Sequence, residues 1–315
     1  MQPANLWLSR YAKLVVIVTL ALITVGGTVT THKAGLAVPD WPTSFGHNMF
    51  ALPWEYWEGD ALLEHSHRLL GSVLGMLIIG LLIWVLKAEA RPWVRKLAWA
   101  SLVLVIAQGI MGGKRVTDIS VEWAIIHGCT AQAFFCLTIL IALALSPEWT
   151  RPLTGGVNPQ AIKGWKTLAW VGVAAIFIQL ILGAVMRHLD AGLAIPTFPL
   201  MPDGSFFPKV HDARIDIHFT HRLWAVVVTG IVAVLVAKVM HLSGGDRRLS
   251  RPSLTLAALV ITQIALGASI IRTTRAPHPT TLHVVNGAIV LGLCFMLAVR
   301  ANRFSKAETL PPQQS

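Results

Sequence analysis

Eight stretches of the sequence are each long and apolar enough to cross a lipid bilayer as a helix. A spanning helix needs about 20 mostly apolar residues. The chain is 54% hydrophobic and only 13% charged, so little of it remains for a soluble domain. These features predict an all-α integral membrane protein with eight transmembrane helices, at residues 13–31, 66–87, 94–113, 121–145, 164–186, 217–240, 252–271 and 280–300.

The net charge of +11 is distributed as a topology signal. The N-terminal stretch, the even-numbered loops and the C-terminal tail hold 16 of the 26 basic residues, whereas the odd-numbered loops hold 8. The positive-inside rule therefore predicts that both termini are cytoplasmic. We expect no nucleic-acid partner, and contact with membrane lipid instead. Without a mitochondrial presequence pattern, the simplest location is the bacterial plasma (inner) membrane.

The second half of the chain repeats the first at a displacement of 154 to 157 residues. Each half then has four helices, which predicts two four-helix bundles related by a pseudo-two-fold axis along the membrane normal. The corresponding domains are 1–150 and 151–315. The matched segments are 35–42 with 192–199, 66–69 with 220–223, 108–112 with 263–267, and 127–128 with 283–284.

Four histidines recur at matched positions near the starts of the even-numbered helices: His67, His127, His221 and His283. A single histidine in an apolar helix is usually a hydrogen-bonded core residue. Four at symmetric positions in a membrane favour metal ligation, and histidine is a common axial ligand of haem iron. We therefore predict two bis-histidine haem sites near the outer face, His67 with His127 and His221 with His283.

An arginine follows the first histidine of each pair. Haem propionates are carboxylates, which a guanidinium matches geometrically, so Arg68 and Arg222 are predicted to bind propionates. The alternative is that both arginines extend to lipid phosphates.

The two halves differ one helical turn before the first histidine, where Glu64 in one half corresponds to His218 in the other. A carboxylate beside a haem can accept a proton or position water, so Glu64 marks the first site as the reactive one. Glu64 could instead stabilise its helix through the macrodipole. His65 and His218 are weaker candidates than the four symmetric histidines.

Each of three odd-numbered helices carries a glutamine four residues before a glycine, at 108 and 112, 179 and 183, and 263 and 267. Small residues allow close helix approach, and a glutamine in a bilayer seeks a hydrogen bond from a neighbouring helix. A packing role is predicted for these positions.

The proline-rich segments 38–42 and 195–199 cannot be helical throughout, because a residue that precedes proline favours extended conformations. We expect them to fold over the haem edges as lids.

The chain resembles the haem A synthase family, the membrane enzymes that convert haem O to haem A. The resemblance rests on Glu64-His65-Ser66-His67-Arg68, His127, residues 35–42, His218-Phe219-Thr220-His221-Arg222 and His283. It implies that His67 and His127 hold the substrate haem O, that His221 and His283 hold a cofactor haem b, and that Glu64 is catalytic. A methyl group of haem O would become a formyl group. Haem O synthase, oxidase assembly factors and an electron-transfer protein of unknown identity are the implied partners.

The main rival hypothesis is a di-haem b-type protein that only transfers electrons. It accounts for the four histidines but gives Glu64 no special role. A transporter built from repeated bundles would place broken helices and polar residues at the bilayer midplane, whereas the histidines here lie near one face.

Overall fold

A computed structural model describes residues 5–149, 151 and 159–305. Eight long helices, each apolar enough to cross a membrane, make up most of that part of the chain, and no strand occurs within it. The prediction of an all-α membrane fold is confirmed. The helices are α1 Leu6–Thr31, α2 Gly59–Ala88, α3 Pro92–Thr117, α4 Val121–Ala144, α5 Pro159–His188, α6 Ala213–Leu242, α7 Arg247–Arg272 and α8 Pro277–Ser305.

Three of the even-numbered helices, α2, α6 and α8, begin earlier than the apolar stretches that predicted them, whereas α4 begins at Val121 as predicted. Side chains cap two of the four: the Ser120 side chain accepts a hydrogen bond from the Trp123 N–H, and Asp212 accepts from the Arg214 and Ile215 N–H groups. An apolar window omits such a polar first turn. As a result His67 and His221 are each the ninth residue of their helix, in the third turn, while His127 and His283 are each the seventh. All four histidines thus lie near the starts of their helices as predicted, and the first histidine of each pair lies two residues further in than the second.

Large apolar side chains are exposed along the helices. A soluble protein would bury such side chains, whereas lipid tails solvate them. Residues of this kind include Ile17, Val103, Ile106, Val226 and Ile261. Their exposure agrees with helices that face lipid.

The first compact unit contains α1 to α4 together with Thr273–Val285. Within it α1 packs against α2 and α4, and α3 packs against the same two helices, which closes a four-helix bundle. The Tyr11 hydroxyl donates to the Leu77 carbonyl (3.0 Å) and links α1 to α2. The bundle core includes Leu8, Val15, Leu74, Ile78, Val94, Phe134 and Ile141.

The second compact unit contains α5 to α7 and α8 from Asn286 onward. Here α6 packs against α5 and α7. The Trp224 indole N–H donates to the Ala175 carbonyl on α5 (2.8 Å), and the Asn286 amide donates to the Leu259 carbonyl on α7 (2.9 Å). The predicted haem-binding halves 1–150 and 151–315, their pseudo-two-fold relation and the cytoplasmic termini stay predictions.

Candidate functional site

The first predicted histidine pair meets inside the first unit. The rings of His67 on α2 and His127 on α4 have centroids 6.5 Å apart and lie nearly perpendicular, at 85°. Metal–imidazole bonds are about 2 Å long and the ring centre lies about 1.1 Å beyond the nitrogen, so two axial imidazoles on one metal have centres about 6 Å apart. The observed separation suits one iron between the two rings.

Each of three candidate histidines lies against a glycine on a neighbouring helix. A Cβ atom built at Gly26 on α1 would lie 2.9 Å from His67 Cε1, and one at Gly112 on α3 would lie 3.4 Å from His127 Cε1. In the second unit a Cβ at Gly183 on α5 would lie 3.1 Å from His221 Cε1. These glycines leave the space that the imidazoles occupy.

Sequence reasoning treated Gly112 and Gly183 as general packing residues and did not consider Gly26. The signal was present in the repeat, because Gly26 and Gly183 are 157 residues apart, the displacement that also relates residues 35–42 to 192–199. A glycine preserved between the two halves inside an apolar helix indicates a close approach by another group.

Hydrogen bonds from neighbouring helices orient two of the histidines. His127 Nδ1 lies 3.2 Å from the Gln108 backbone carbonyl, and a proton donated there leaves Nε2 as the free metal-binding nitrogen. The Gln179 amide donates to the His221 backbone carbonyl (3.0 Å) and lies 3.2 Å from both ring nitrogens. The predicted inter-helix role of the glutamines is confirmed at Gln179.

Glu64 is 4% exposed and joins α2 to the loop that follows α1. Its Oε1 accepts from Arg68 (2.7 Å) and its Oε2 accepts from the Val38 backbone N–H (2.9 Å). Arg68 also donates to the Val38, Asp40 and Thr43 carbonyls, at 3.0, 2.6 and 3.0 Å. Glu64 and Arg68 together therefore hold the loop against α2. These contacts use four of the five N–H donors of Arg68.

His218 makes the corresponding contacts in the second unit. Its Nδ1 lies 3.3 Å from the Ile195 backbone N and its Nε2 lies 3.1 Å from Nε of Arg222, and a neutral imidazole accepts a hydrogen bond from only one of these two donors. Arg222 donates to the Ile195 and Thr197 carbonyls (3.0 and 2.7 Å), while its buried Nη1 has no hydrogen-bond partner among the described residues. Glu64 and His218 thus each contact the loop that precedes their helix, and of the two only Glu64 brings a carboxylate to its site. Since Glu64 is the sixth residue of α2, these contacts define its role better than the helix macrodipole does.

The loop after α1 also packs against α3. A Cβ atom built at Gly113 would overlap the Trp41 ring, so the indole rests directly on the α3 backbone. Asp40 closes a turn by accepting from the Phe45 and Gly46 N–H groups (2.6 and 2.8 Å) and from the Thr43 hydroxyl. Burial raises the pKa of Asp40, but these three hydrogen bonds outweigh it and hold the pKa below its usual value. Residues 38–42 are non-helical as predicted, and the loop contacts α2 and α3; that it covers a haem edge stays a prediction.

His65 lies apart from the pair formed by His67 and His127. It is completely buried, its Nδ1 is 3.4 Å from the Ser44 hydroxyl, and its ring meets Trp57 edge-on at 4.8 Å. These contacts make it a packing residue beneath the loop.

Arg115 was not singled out from the sequence as a site residue. It lies in the last turn of α3, and its guanidinium packs against Gly35. It is within electrostatic range of His67, His127 and Glu64. The repeat held a signal here too, because the register that aligns Gln108 with Gln263 places Ile270 opposite Arg115.

The remaining predicted ligands lie in α6 and α8, where His221 is in the second unit and His283 is in the segment of α8 assigned to the first. Among the described residues no group of three or more histidine, cysteine or acidic side chains could hold a metal ion, and Cys129, Cys136 and Cys294 are free thiols.

Comparison with known proteins gives a consistent family assignment. The model of the COX15-CtaA family, described as cytochrome oxidase assembly protein, matches residues 9–295. The chain is similar to the haem A synthase of Shouchella clausii, at 27% identity over 90% of this chain and 93% of that protein. It is also similar to the haem A synthases of Neorickettsia sennetsu (26% identity, 89% and 94% coverage) and Caulobacter vibrioides (25%, 96% and 97%).

Proposed function

The chain belongs to the COX15-CtaA family of cytochrome oxidase assembly proteins, and on that premise we propose that it is a haem A synthase. Such an enzyme oxidises a methyl group of haem O to the formyl group of haem A. Relatives named as haem A synthases align with it over nearly their whole length. The observation that carries the proposal is the facing pair His67 and His127 beside a carboxylate that the second half of the chain lacks.

His67 and His127 bind the substrate haem O. The 6.5 Å between their ring centres supports this assignment, as does the position of Nδ1 of His127, which lies 3.2 Å from the Gln108 carbonyl. Gly26 and Gly112 leave the space that the two rings occupy. The protein thus supplies both axial positions from facing helices of one bundle.

His221 and His283 bind the cofactor haem b, which supplies one-electron transfer when bound. Gln179 and Gly183 set the orientation of His221. The buried and unpaired Nη1 of Arg222 is suited to a propionate of that cofactor. Propionate binding by Arg68 is proposed as well, through its one remaining N–H.

Glu64 is the catalytic carboxylate of the first site. Each of its oxygens accepts one hydrogen bond from the protein and keeps a further lone pair, so either can hold a proton or orient water. Arg68 and the Val38 N–H fix the position of the carboxylate. A group held in this way can act as a general base without reorganisation.

The enzyme is a multi-pass membrane protein. We place it in a bacterial plasma membrane with the haem sites toward the outer face, following the distribution of its basic residues. Haem O synthase, oxidase assembly factors and an electron-transfer partner are the proteins expected to act with it.

Two variants of Glu64 test the catalytic assignment. Glu64→Gln removes the charge, and Glu64→His installs the residue that performs the same loop-holding contacts in the second unit. With a haem O source and no other haem A synthase in the cell, pigments are extracted and separated. Since general acid–base catalysis contributes about 10²- to 10⁴-fold, haem A should fall by roughly that factor in both variants while haem b stays bound.

Normal haem A from Glu64→His would show that the carboxylate is not needed. Haem b alone from the unmodified protein under every condition would favour the electron-transfer rival and overturn the proposal.

A second pair of variants tests how the two haems are divided. His283→Ala should remove haem b, whereas His127→Ala should abolish haem O binding and leave haem b in place, as measured by pyridine haemochrome spectra. Equal loss of haem b in both variants would contradict the assignment of separate ligand pairs.

A further inference from the structure

Two arginines lie near the first histidine pair, and the protein engages them differently. Arg68 gives four of its N–H groups to Glu64 and to loop carbonyls. Arg115 has no hydrogen-bond or ion-pair partner anywhere in the part of the chain that the structure describes. Its five N–H donors are therefore available to a ligand.

The charges around the first site do not cancel. Glu64 offsets Arg68 at 2.7 Å, and the neighbouring Lys114 is paired with Asp118 at 2.9 Å. Arg115 is half-buried and has no ion-pair partner of its own among the described residues, and Glu64, the acid within electrostatic range of it, is already bound to Arg68. A cation that is partly removed from water gains most from an anion that its planar fork can bind in bidentate fashion, which a carboxylate provides.

The position of Arg115 on α3 relates it to the histidine ligands. Gly112, which abuts His127, lies three residues earlier and so on the same face of the helix. Arg115 is about one helical turn beyond Gly112 toward the C-terminal end of α3, where Lys114 and Asp118 are exposed. A ligand held at His127 with a charged group directed toward that end would meet Arg115.

We propose that Arg115 binds a propionate of the substrate haem in the first unit, and that Gly35 is needed because any side chain there would occupy the space of the guanidinium. This inference rests on the proposed function, since it requires haem O at His67 and His127. Arg115 would give the first site a cationic contact with the haem. The second half of the chain has no such contact at the matching position, which is Ile270. The arginine would thereby help the substrate site to retain a haem that carries free carboxylates.

The test compares haem O with its dimethyl ester, in which both propionates are uncharged. The full-length protein with its haem b in place is titrated with each compound, and the dissociation constant is taken from the Soret difference spectrum. A hydrogen bond to a charged group contributes about 1.5–3 kcal/mol, so Arg115→Gln should weaken haem O binding roughly 10- to 100-fold. The same substitution should leave binding of the ester within about twofold.

Two further variants separate this contact from other causes. Lys114→Gln removes the same charge one residue away and should leave the ratio of haem O to ester affinity unchanged. Gly35→Ala keeps the arginine but displaces its guanidinium, because the added methyl would lie 2.6 Å from Nη1, and should reproduce the loss seen in Arg115→Gln.

Equal weakening of acid and ester in Arg115→Gln would indicate a structural role and overturn the inference. Unchanged affinity for both compounds would overturn it as well. If the unmodified protein binds haem O with this discrimination but forms no haem A, the proposed function fails while the contact stands.

Discussion

At the scale of single residues, the first site depends on the absence of side chains as much as on their presence. Gly26 and Gly112 leave the space that His67 and His127 fill, and Gly35 leaves the space for Arg115. Glycine is an unfavourable residue within a helix by about 1 kcal/mol relative to alanine. The glycines opposite His67 and His127 therefore have a local reason, which is the close approach of an imidazole.

Gly26→Ala should disturb haem binding without lowering helix stability. The new methyl would lie 2.9 Å from His67 Cε1 and must push the ring aside, at a cost of about 1–3 kcal/mol for overpacking. We expect haem O affinity to fall roughly 5- to 100-fold, with loss of the low-spin bis-histidine spectrum. Gly71→Ala is the control, because a Cβ there meets nothing within 4 Å. Equal spectra for both variants would contradict this packing account.

At the scale of elements, the loop after α1 is held by the two helices that it covers. Glu64 and Arg68 bind it from α2, and Trp41 rests on the backbone of α3 at Gly113. In the second unit His218 and Arg222 bind the loop after α5 through the same backbone positions. These contacts fix the backbone of each loop against the helix that follows it.

The turn closed by Asp40 should be insensitive to pH across the neutral range. Its pKa is lowered by the bonds from Thr43, Gly46 and Phe45, so the stabilisation is present above the usual aspartate pKa near 4 and is lost as the pH falls through the folded value. Hydrogen exchange at the Phe45 and Gly46 amides, corrected for its intrinsic pH dependence, should stay constant from about pH 5 to 8.

Asp40→Asn should accelerate that exchange by roughly 5- to 30-fold at pH 7, since it weakens bonds worth about 1–2 kcal/mol together. Protection that changes with pH in the neutral range, or that is unaffected by the substitution, would show that another group orders the turn.

At the scale of the whole molecule, the charge distribution predicts which loops face outward. The connection between α5 and α6 should be outside and the one between α6 and α7 should be cytoplasmic, because basic residues cluster in the second. Both histidines of the first pair would then lie near the outer ends of their helices.

Fusions of alkaline phosphatase, which is active only outside the cytoplasm, test this orientation. A fusion after Gly204 should be active and one after Gly245 should be inactive, with the reverse pattern for a green fluorescent protein reporter. Activity after Gly245 alone would invert the topology and place the haem sites at the cytoplasmic face.

The sequence predicted the eight helices well because length and hydropathy are local properties. It predicted some of their starts less well, since α6 begins at Ala213 with a polar first turn whose cap, the Asp212 side chain, no apolar window detects. The meeting of His67 with His127 followed from the repeat and from the topology of a four-helix bundle.

The sequence by itself determined that this chain is a helical membrane protein with candidate ligands at matched depths, because spans and repeats are written along the chain. Only the tertiary structure decided that Arg68 is committed to Glu64 and the loop while Arg115 is open, and that glycines face the ligands. Those facts depend on which distant residues come into contact. Hydrogen bonds and close packing act over a few ångströms, so their partners are known only once the helices are assembled.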